Sequence, residues 1–151
     1  MTKEIQLTQG KATLVDDEDF EYLSQWKWSV AAGYARRKKN NKCILLHRFI
    51  MNAPDNMQVD HVNMNILDNR KSNLRICTKS QNTANRNKPA TNTSGYKGVY
   101  KINENTWTAS IKVNNITKHL GRFDNAIDAA RAYDKEAKKI YGIFSRPNFK
   151  D

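Results

Sequence analysis

The chain has 151 residues, of which 38% are hydrophobic, with a mean hydropathy of −0.83 and a net charge of +11. This length accommodates one ordinary domain or two small ones, and the low apolar content favours small modules over one large core. The basic charge favours a polyanionic partner, and no apolar run is long enough to span a membrane or to serve as the core of a signal peptide.

Residues 1–43 are predicted to form a β-rich N-terminal region. It begins with a hairpin that turns at Gly10, and the acidic run 16–19 predicts the N-terminus of a short helix over 20–24. A three-stranded meander follows and ends at residue 46. Trp26 and Trp28 lie in its first strand, and we interpret them as core residues rather than base-stacking platforms, because a buried indole contributes a large apolar area.

Residues 44–90 are predicted to form a strand–turn–strand–helix unit after a short helix over 47–51. The first strand ends at Asp60-His61, the turn is the polar segment 63–69, and residues 74–78 alternate as the second strand. The helix is expected to open at Thr78 or Lys79. His47 has two interpretations at this stage, a core histidine or a contact with a phosphate or a metal.

Residues 87–94 are rich in turn-forming residues and are predicted to be a linker. Residues 95–151 then form a second module. Its strands are expected over 97–102, 106–113 and 118–120, and a helix with a face of small residues runs from Ala126 to Tyr141. Gly142 is expected to end that helix. The predicted fold class is therefore α+β, with a three-stranded sheet and one helix at the C-terminal end.

The central unit combines residues suited to phosphate chemistry. Asp60 offers a carboxylate to a hard ion such as Mg²⁺ or Mn²⁺, and Asn82 on the helix can add an amide oxygen. On a strand His61 points away from Asp60, so it is available to take a proton from water. Asn73 or its backbone is the natural candidate to orient His61. We therefore predict a site with a metal held by Asp60 and Asn82 and a base at His61.

The positive charge is concentrated around this unit, because residues 36–93 hold twelve Lys or Arg against three Asp. Such a field suits a phosphate backbone. The two cysteines, Cys43 and Cys77, form no C-x-x-C pair, so neither a disulfide framework nor a cysteine zinc site is predicted, and a reducing, cytoplasmic location is expected. A structural zinc module is disfavoured for the same reason.

The motifs at 46–48, 59–61, 68–75 and 78–82 resemble those of the His-Asn-His (HNH) homing endonucleases of phage type, in the subgroup whose last histidine is replaced by asparagine. The resemblance covers about residues 44–90. It implies a ββα-metal site with one divalent ion, with Asp60 and Asn82 as ligands, His61 as general base and Asn73 as the residue that fixes His61. If the protein is phage-encoded, its location would be the host cytoplasm.

The segments 95–100, 107–111, 120–124 and 129–134 resemble the plant ethylene-response-factor DNA-binding domain, whose sheet lies in the major groove. The chain departs from the plant pattern at Tyr100, Ser110 and His119, so the base specificity does not transfer. The sheet positions that this resemblance implies as DNA contacts are Lys97, Tyr100, Lys101, Trp107, Ser110, Lys112 and His119.

Together these features predict a metal-dependent DNA endonuclease that acts on double-stranded DNA as a monomer or weak homodimer. The alternative is a DNA-binding regulator with an inactive nuclease site. Besides the sheet positions, the basic residues expected to contact phosphates are Arg36, Arg37, Lys38, Arg70, Arg75 and Arg86. For the run that begins at Arg36, a solvated edge of the meander is the competing interpretation.

Overall fold

The computed structural model describes residues 1–149 and divides into two compact units, with the division between Lys79 and Ser80. Both units combine small antiparallel sheets with helices, so the predicted α+β class is confirmed. Within residues 1–149 no helix is long and apolar enough to cross a membrane.

The first unit opens with the predicted hairpin, helix and meander. The meander has strand order β3-β4-β5. The elements are β1 (Thr2–Gln6), β2 (Ala12–Asp16), α1 (Asp17–Leu23), β3 (Ser29–Ala31), β4 (Tyr34–Lys39), β5 (Lys42–Leu45) and α2 (Leu46–Ile50). The acidic residues 17–19 form the first turn of α1, where they interact favourably with the helix dipole.

One hydrophobic core joins these elements. It contains Ile5 from β1, Leu23 from α1, Trp28, and Leu46 from α2. Trp28 is 3% exposed and its indole N–H donates to the Leu23 carbonyl, which confirms it as a core residue; Trp26 packs against the same cluster. Because β1 and α2 share this core, the structure has no boundary at residue 43, where the sequence predicted one.

The same unit continues into a second hairpin of β6 (Gln58–His61) and β7 (Leu74–Cys77), and α3 (Lys79–Ala84) follows in sequence. The predicted strand–turn–strand–helix order is therefore present. A short parallel bridge between Leu14 and Asp68 ties the polar turn to the N-terminal hairpin. The division between units lies upstream of the predicted linker 87–94, because Ala84 is buried with Ile111 and Tyr133.

The second unit is a three-stranded sheet, order β10-β9-β8, covered on one face by a helix. Its elements are β8 (Val99–Asn103), β9 (Thr106–Val113), β10 (Ile116–Phe123) and α4 (Ala126–Tyr141). The strand predicted from residue 97 begins at Val99, since Gly98 has φ +74°. The strand predicted as 118–120 extends over all of β10. A register shift between His119 and Gly121 interrupts the alternation of its side chains, so the sequence pattern showed only part of the strand.

Candidate functional site

Asp60 lies opposite Arg75 in the β6–β7 hairpin, and the two side chains form an ion pair. The Arg75 Nε and Nη2 atoms donate to the Asp60 Oδ2 atom at 2.8 and 2.6 Å. The Asp60 residue is 5% exposed, so its charge is held in a largely dehydrated place. This contact follows from the register, since directly opposed residues place their side chains on the same face of a hairpin.

His61 is the next residue along β6 and makes different contacts. Its Nε2 atom lies 3.2 Å from the Asn69 Oδ1 atom, and the residue is 5% exposed. Burial lowers the pKa of the imidazole, opposed by the Asn69 hydrogen bond and the charges of Asp60 and Asp68. A neutral ring at neutral pH is therefore expected, and a neutral ring can accept a proton.

Two further rings pack around His61. The His47 ring meets it edge-on, with centroids 5.1 Å apart, and the Tyr34 ring lies 5.3 Å from His47 and 6.3 Å from His61. His47 is 5% exposed, and burial lowers its pKa to about 4, with smaller contributions from repulsion by a protonated His61 and by Arg48. Of the two interpretations of His47, the structure supports a buried histidine, and one that packs directly on His61.

Asn73 contacts the polar turn. Its side-chain oxygen accepts from the Asn63 backbone N–H at 2.9 Å, and its amide nitrogen donates to the Asp68 carbonyl at 2.8 Å. Its backbone carbonyl accepts from Val62 N–H, the residue after His61. Asn73 was expected to orient the imidazole. In the structure its side chain instead stabilises the turn through these hydrogen bonds, and Asn69 contacts the ring.

Asp68 is the second anchor of the turn. It is 1% exposed, and its carboxylate accepts from Arg70 Nε and Nη2 and from Asn63 Nδ2. The Arg70 guanidinium lowers the pKa of this carboxyl, with a smaller contribution from the Asn63 hydrogen bond. The turn between β6 and β7 is therefore scaffold for the site, apart from Asn69.

Several of the predicted phosphate contacts have other partners in the first unit. Arg70 and Arg75 form the ion pairs with Asp68 and Asp60, and the Arg37 guanidinium lies 4.1 Å from the Trp26 ring centroid. In these contacts a buried carboxylate or an aromatic ring competes with a phosphate for the guanidinium. Lys38 is exposed and Arg36 is half-buried.

The two predicted metal ligands, Asp60 and Asn82, lie in different units of the structure. Asp60 offers a buried carboxylate, and Asn82 lies on α3 in the second unit, half-buried. Among residues 1–149 no group of three His, Cys, Asp or Glu side chains is placed to hold a metal ion. One carboxylate with amide oxygens and water fits Mg²⁺, which retains several waters in proteins.

In the second unit, cross-strand register identifies the sheet face that α4 leaves open. Ala109 and Ile111 are buried beneath the helix, so the alternate residues of β9 point outward. Their partners are Tyr100, Thr117, His119 and Arg122. The open face therefore consists of Tyr100, Thr108, Ser110, Lys112, Thr117, His119 and Arg122.

Three predicted sheet contacts lie elsewhere. Trp107 packs on the core beneath α4, and Lys101, opposite it, places its amine 5.8 Å from the indole centroid. Lys97 precedes β8, and its amine donates to the carbonyl of Ala84, the last residue of α3, and to that of Arg86. The resemblance to the plant domain had implied these residues as sheet contacts, whereas the cross-strand register and the contacts of the side chains place them elsewhere.

Arg122 is the charged residue of this face that sequence reasoning missed. It is exposed and lies opposite Thr108, whose hydroxyl donates to the Gly121 carbonyl. The register shift after His119 puts both His119 and Arg122 on the open face, although they are three residues apart. Arg86, predicted as a phosphate contact, is exposed between α3 and β8.

Comparison with known proteins confirms both resemblances. A family model described as an HNH endonuclease matches residues 52–84. The chain is 34% identical over 151 residues to an uncharacterised HNH endonuclease of Acanthamoeba polyphaga mimivirus, covering 94% of this chain and 78% of that protein.

Part of the chain is similar to plant transcription factors. It is 34% identical over 85 residues to an ethylene-responsive transcription factor of Medicago truncatula, covering 55% of this chain and 32% of that protein. It is 39% identical over 59 residues to one of Arabidopsis thaliana, covering 38% of this chain and 23% of that protein. No solved structure matches the chain.

Proposed function

The chain belongs to the HNH endonuclease family, and from this premise we propose that it is a metal-dependent DNA endonuclease with His61 as general base. The observation that carries the proposal is the environment of His61. The imidazole is buried, its pKa is lowered, one ring nitrogen contacts Asn69, and Asp60 is its neighbour in sequence. A neutral, fixed imidazole suits proton abstraction from water at neutral pH.

The chain's own residues would divide the work as follows. His61 takes a proton from the attacking water, Asn69 holds the ring, and Asn73 and Asp68 keep the turn between β6 and β7 in place. Asp60, together with the predicted ligand Asn82, would hold a divalent ion, Mg²⁺ or Mn²⁺. When bound, such an ion supplies charge stabilisation to the phosphate and the leaving oxygen.

The open face of the β8–β10 sheet would bind the DNA duplex. It carries Lys112, His119 and Arg122 with the aromatic Tyr100, a combination suited to phosphates and base edges. Similarity to plant proteins named as transcription factors supports this assignment. We further propose a homing enzyme of viral, phage-like origin that acts in the host cytoplasm and, with a single site per monomer, nicks one strand.

Plasmid nicking with Mg²⁺ tests the proposal. His61→Ala should lower the cleavage rate by at least about 100-fold, since a general base contributes roughly 10²–10⁴. DNA affinity, measured by fluorescence anisotropy, should remain within twofold. If DNA affinity fell in His61→Ala by as much as the cleavage rate, the role of general base would be contradicted. Lys139→Ala is the control, because Lys139 is exposed on α4 and lies in neither the first unit nor the open face of the sheet.

The second candidate is a DNA-binding regulator with an inactive nuclease site. The Asp60–Arg75 ion pair favours it, because the guanidinium occupies Oδ2, one of the two carboxylate oxygens that could bind a metal. Tight DNA binding with no nicking of viral or host DNA, in Mg²⁺ or Mn²⁺, would select this candidate.

The DNA face has its own test. Arg122→Ala should weaken duplex binding and reduce the slope of log K against log salt by about 1. Lys139→Ala is the matched control, because Lys139 is exposed on α4, which covers the other face of the sheet. Equal effects of the two replacements would contradict binding through the open face.

A further inference from the structure

The turn between β6 and β7 is connected to the N-terminal hairpin by a buried chain of hydrogen bonds that ends on His61. Thr13 on β2 is fully buried, and Asn69 is 1% exposed. The Asn69 Nδ2 atom lies 2.7 Å from Thr13 Oγ1, and Thr13 Oγ1 lies 2.8 Å from the Leu67 carbonyl. Thr13 is outside the segment 52–84 that matches the nuclease family model.

The direction of each bond in this chain is fixed by chemistry. A carbonyl oxygen only accepts, so the Thr13 hydroxyl must give its single hydrogen to Leu67. The Thr13 oxygen is then an acceptor toward Asn69, and only the amide nitrogen of Asn69 can donate to it. A flipped Asn69 amide would oppose two oxygens with no hydrogen between them, so the amide has one allowed orientation.

This orientation determines the state of the imidazole. With its nitrogen turned to Thr13, Asn69 presents Oδ1 to His61 Nε2, 3.2 Å away. An amide oxygen only accepts, so Nε2 must carry the hydrogen of the neutral ring. The lone pair is then on Nδ1. In a histidine with the hydrogen on one ring nitrogen, the other nitrogen is the base.

Backbone contacts make the arrangement rigid. Leu14 N–H donates to the same Leu67 carbonyl, and Asn69 N–H donates to the Leu14 carbonyl, each at 2.8 Å. Asn69 is therefore fixed to β2 by both its backbone and its side chain, and it cannot turn without breaking buried hydrogen bonds.

We propose that Thr13 and Asn69 are positioning residues that select the Nε2–H tautomer of His61. The catalytic meaning of this tautomer rests on the proposed nuclease function, whereas the tautomer itself does not. The N-terminal hairpin is then part of the nuclease site through Thr13, and not only a packing layer.

The test compares Thr13→Val, which keeps the shape but removes the hydroxyl, with Thr13→Ser, which keeps the hydroxyl. The readout is the ¹⁵N chemical shifts of the His61 ring near pH 7.5, where the protonated and lone-pair nitrogens are well separated. Replacement of His47 and His119 one at a time assigns the signals of the three histidines. Backbone amide spectra of each variant show whether it is folded.

We expect the wild type and Thr13→Ser to have the hydrogen on Nε2, and Thr13→Val to show a mixed or inverted tautomer. The kcat for nicking should fall at least about tenfold in Thr13→Val with the KM for DNA within twofold, in the range typical of outer partners of a catalytic group. Thr13→Ser should retain the wild-type kcat.

A wild-type ring with its hydrogen on Nδ1 would overturn the proposal. An unchanged tautomer in folded Thr13→Val would also overturn it, whatever happens to kcat, because a loss of activity would then be structural. If the wild type nicks no DNA, the nuclease function fails, and the NMR comparison still decides the assignment of Thr13 and Asn69.

Discussion

Replacement of Asn73 by Ala separates two ways in which this residue could serve the site. If Asn73 only oriented the imidazole, its loss would lower activity and leave stability unchanged. The structure instead gives it two hydrogen bonds that hold the polar turn, from Asn63 N–H and to the Asp68 carbonyl. We therefore expect Asn73→Ala to destabilise the first unit as well as to reduce nicking.

The size of the destabilisation depends on whether the two groups that lose Asn73 as a partner can bind water instead. Asn63 is exposed, so its N–H regains a water and the loss is that of an ordinary hydrogen bond, about 1 kcal/mol. Asp68 is 1% exposed, so its carbonyl, which loses the Asn73 donor, adds a desolvation cost of about 1–3 kcal/mol. The sum is about 2–4 kcal/mol in the free energy of unfolding.

Urea unfolding followed by tryptophan fluorescence measures this change. Two of the three tryptophans, Trp26 and Trp28, lie in the first unit, so a Trp107→Phe background reports on that unit alone. Asn56→Ala is the control, because Asn56 is exposed, and a surface replacement costs within about 0.5 kcal/mol. An Asn73→Ala variant as stable as Asn56→Ala would refute the bracing role.

Two further predictions concern the second unit. Gly98→Ala should cost about 2–5 kcal/mol, because its backbone has φ +74° and a Cβ would clash with the Tyr133 ring and the Ser110 carbonyl. Gly95→Ala, at φ +81° with open space, should cost about 1–2 kcal/mol, and equal melting temperatures for the two variants would contradict the clash. Burial lowers the pKa of Lys97 to about 8, below its unfolded value of about 10.4, so from pH 8 to 10 the unfolded chain binds the extra proton and folding becomes more favourable as pH rises. Lys97→Met should lose this increase in melting temperature; retention of it would assign the effect to another group.

Local sequence signals were sufficient for most elements. The α4 helix was predicted from Ala126 to Tyr141 and has those bounds, since its face of small residues and the Gly142 that follows it are local signals along the chain. The β6–β7 hairpin and α3 were predicted for the same reason. Alternation failed in β10, where the register shift between His119 and Gly121 changes the parity along the strand.

Residue types and spacing in the sequence made Asp60 and His61 the candidate site residues, because a carboxylate beside an imidazole among asparagines is a local pattern. Sequence could not decide which asparagine contacts the imidazole. Asn69 and Asn73 are both amides in one turn, and the choice depends on Thr13, which is 56 residues away in sequence from Asn69. In the same way, the partners of Arg75 and Lys97 depend on which groups the fold brings within hydrogen-bond distance. The sequence therefore determines which chemical groups are present at the candidate site. Which of these groups contact one another is decided by the tertiary structure, because hydrogen bonds require a geometry that spacing along the chain does not specify.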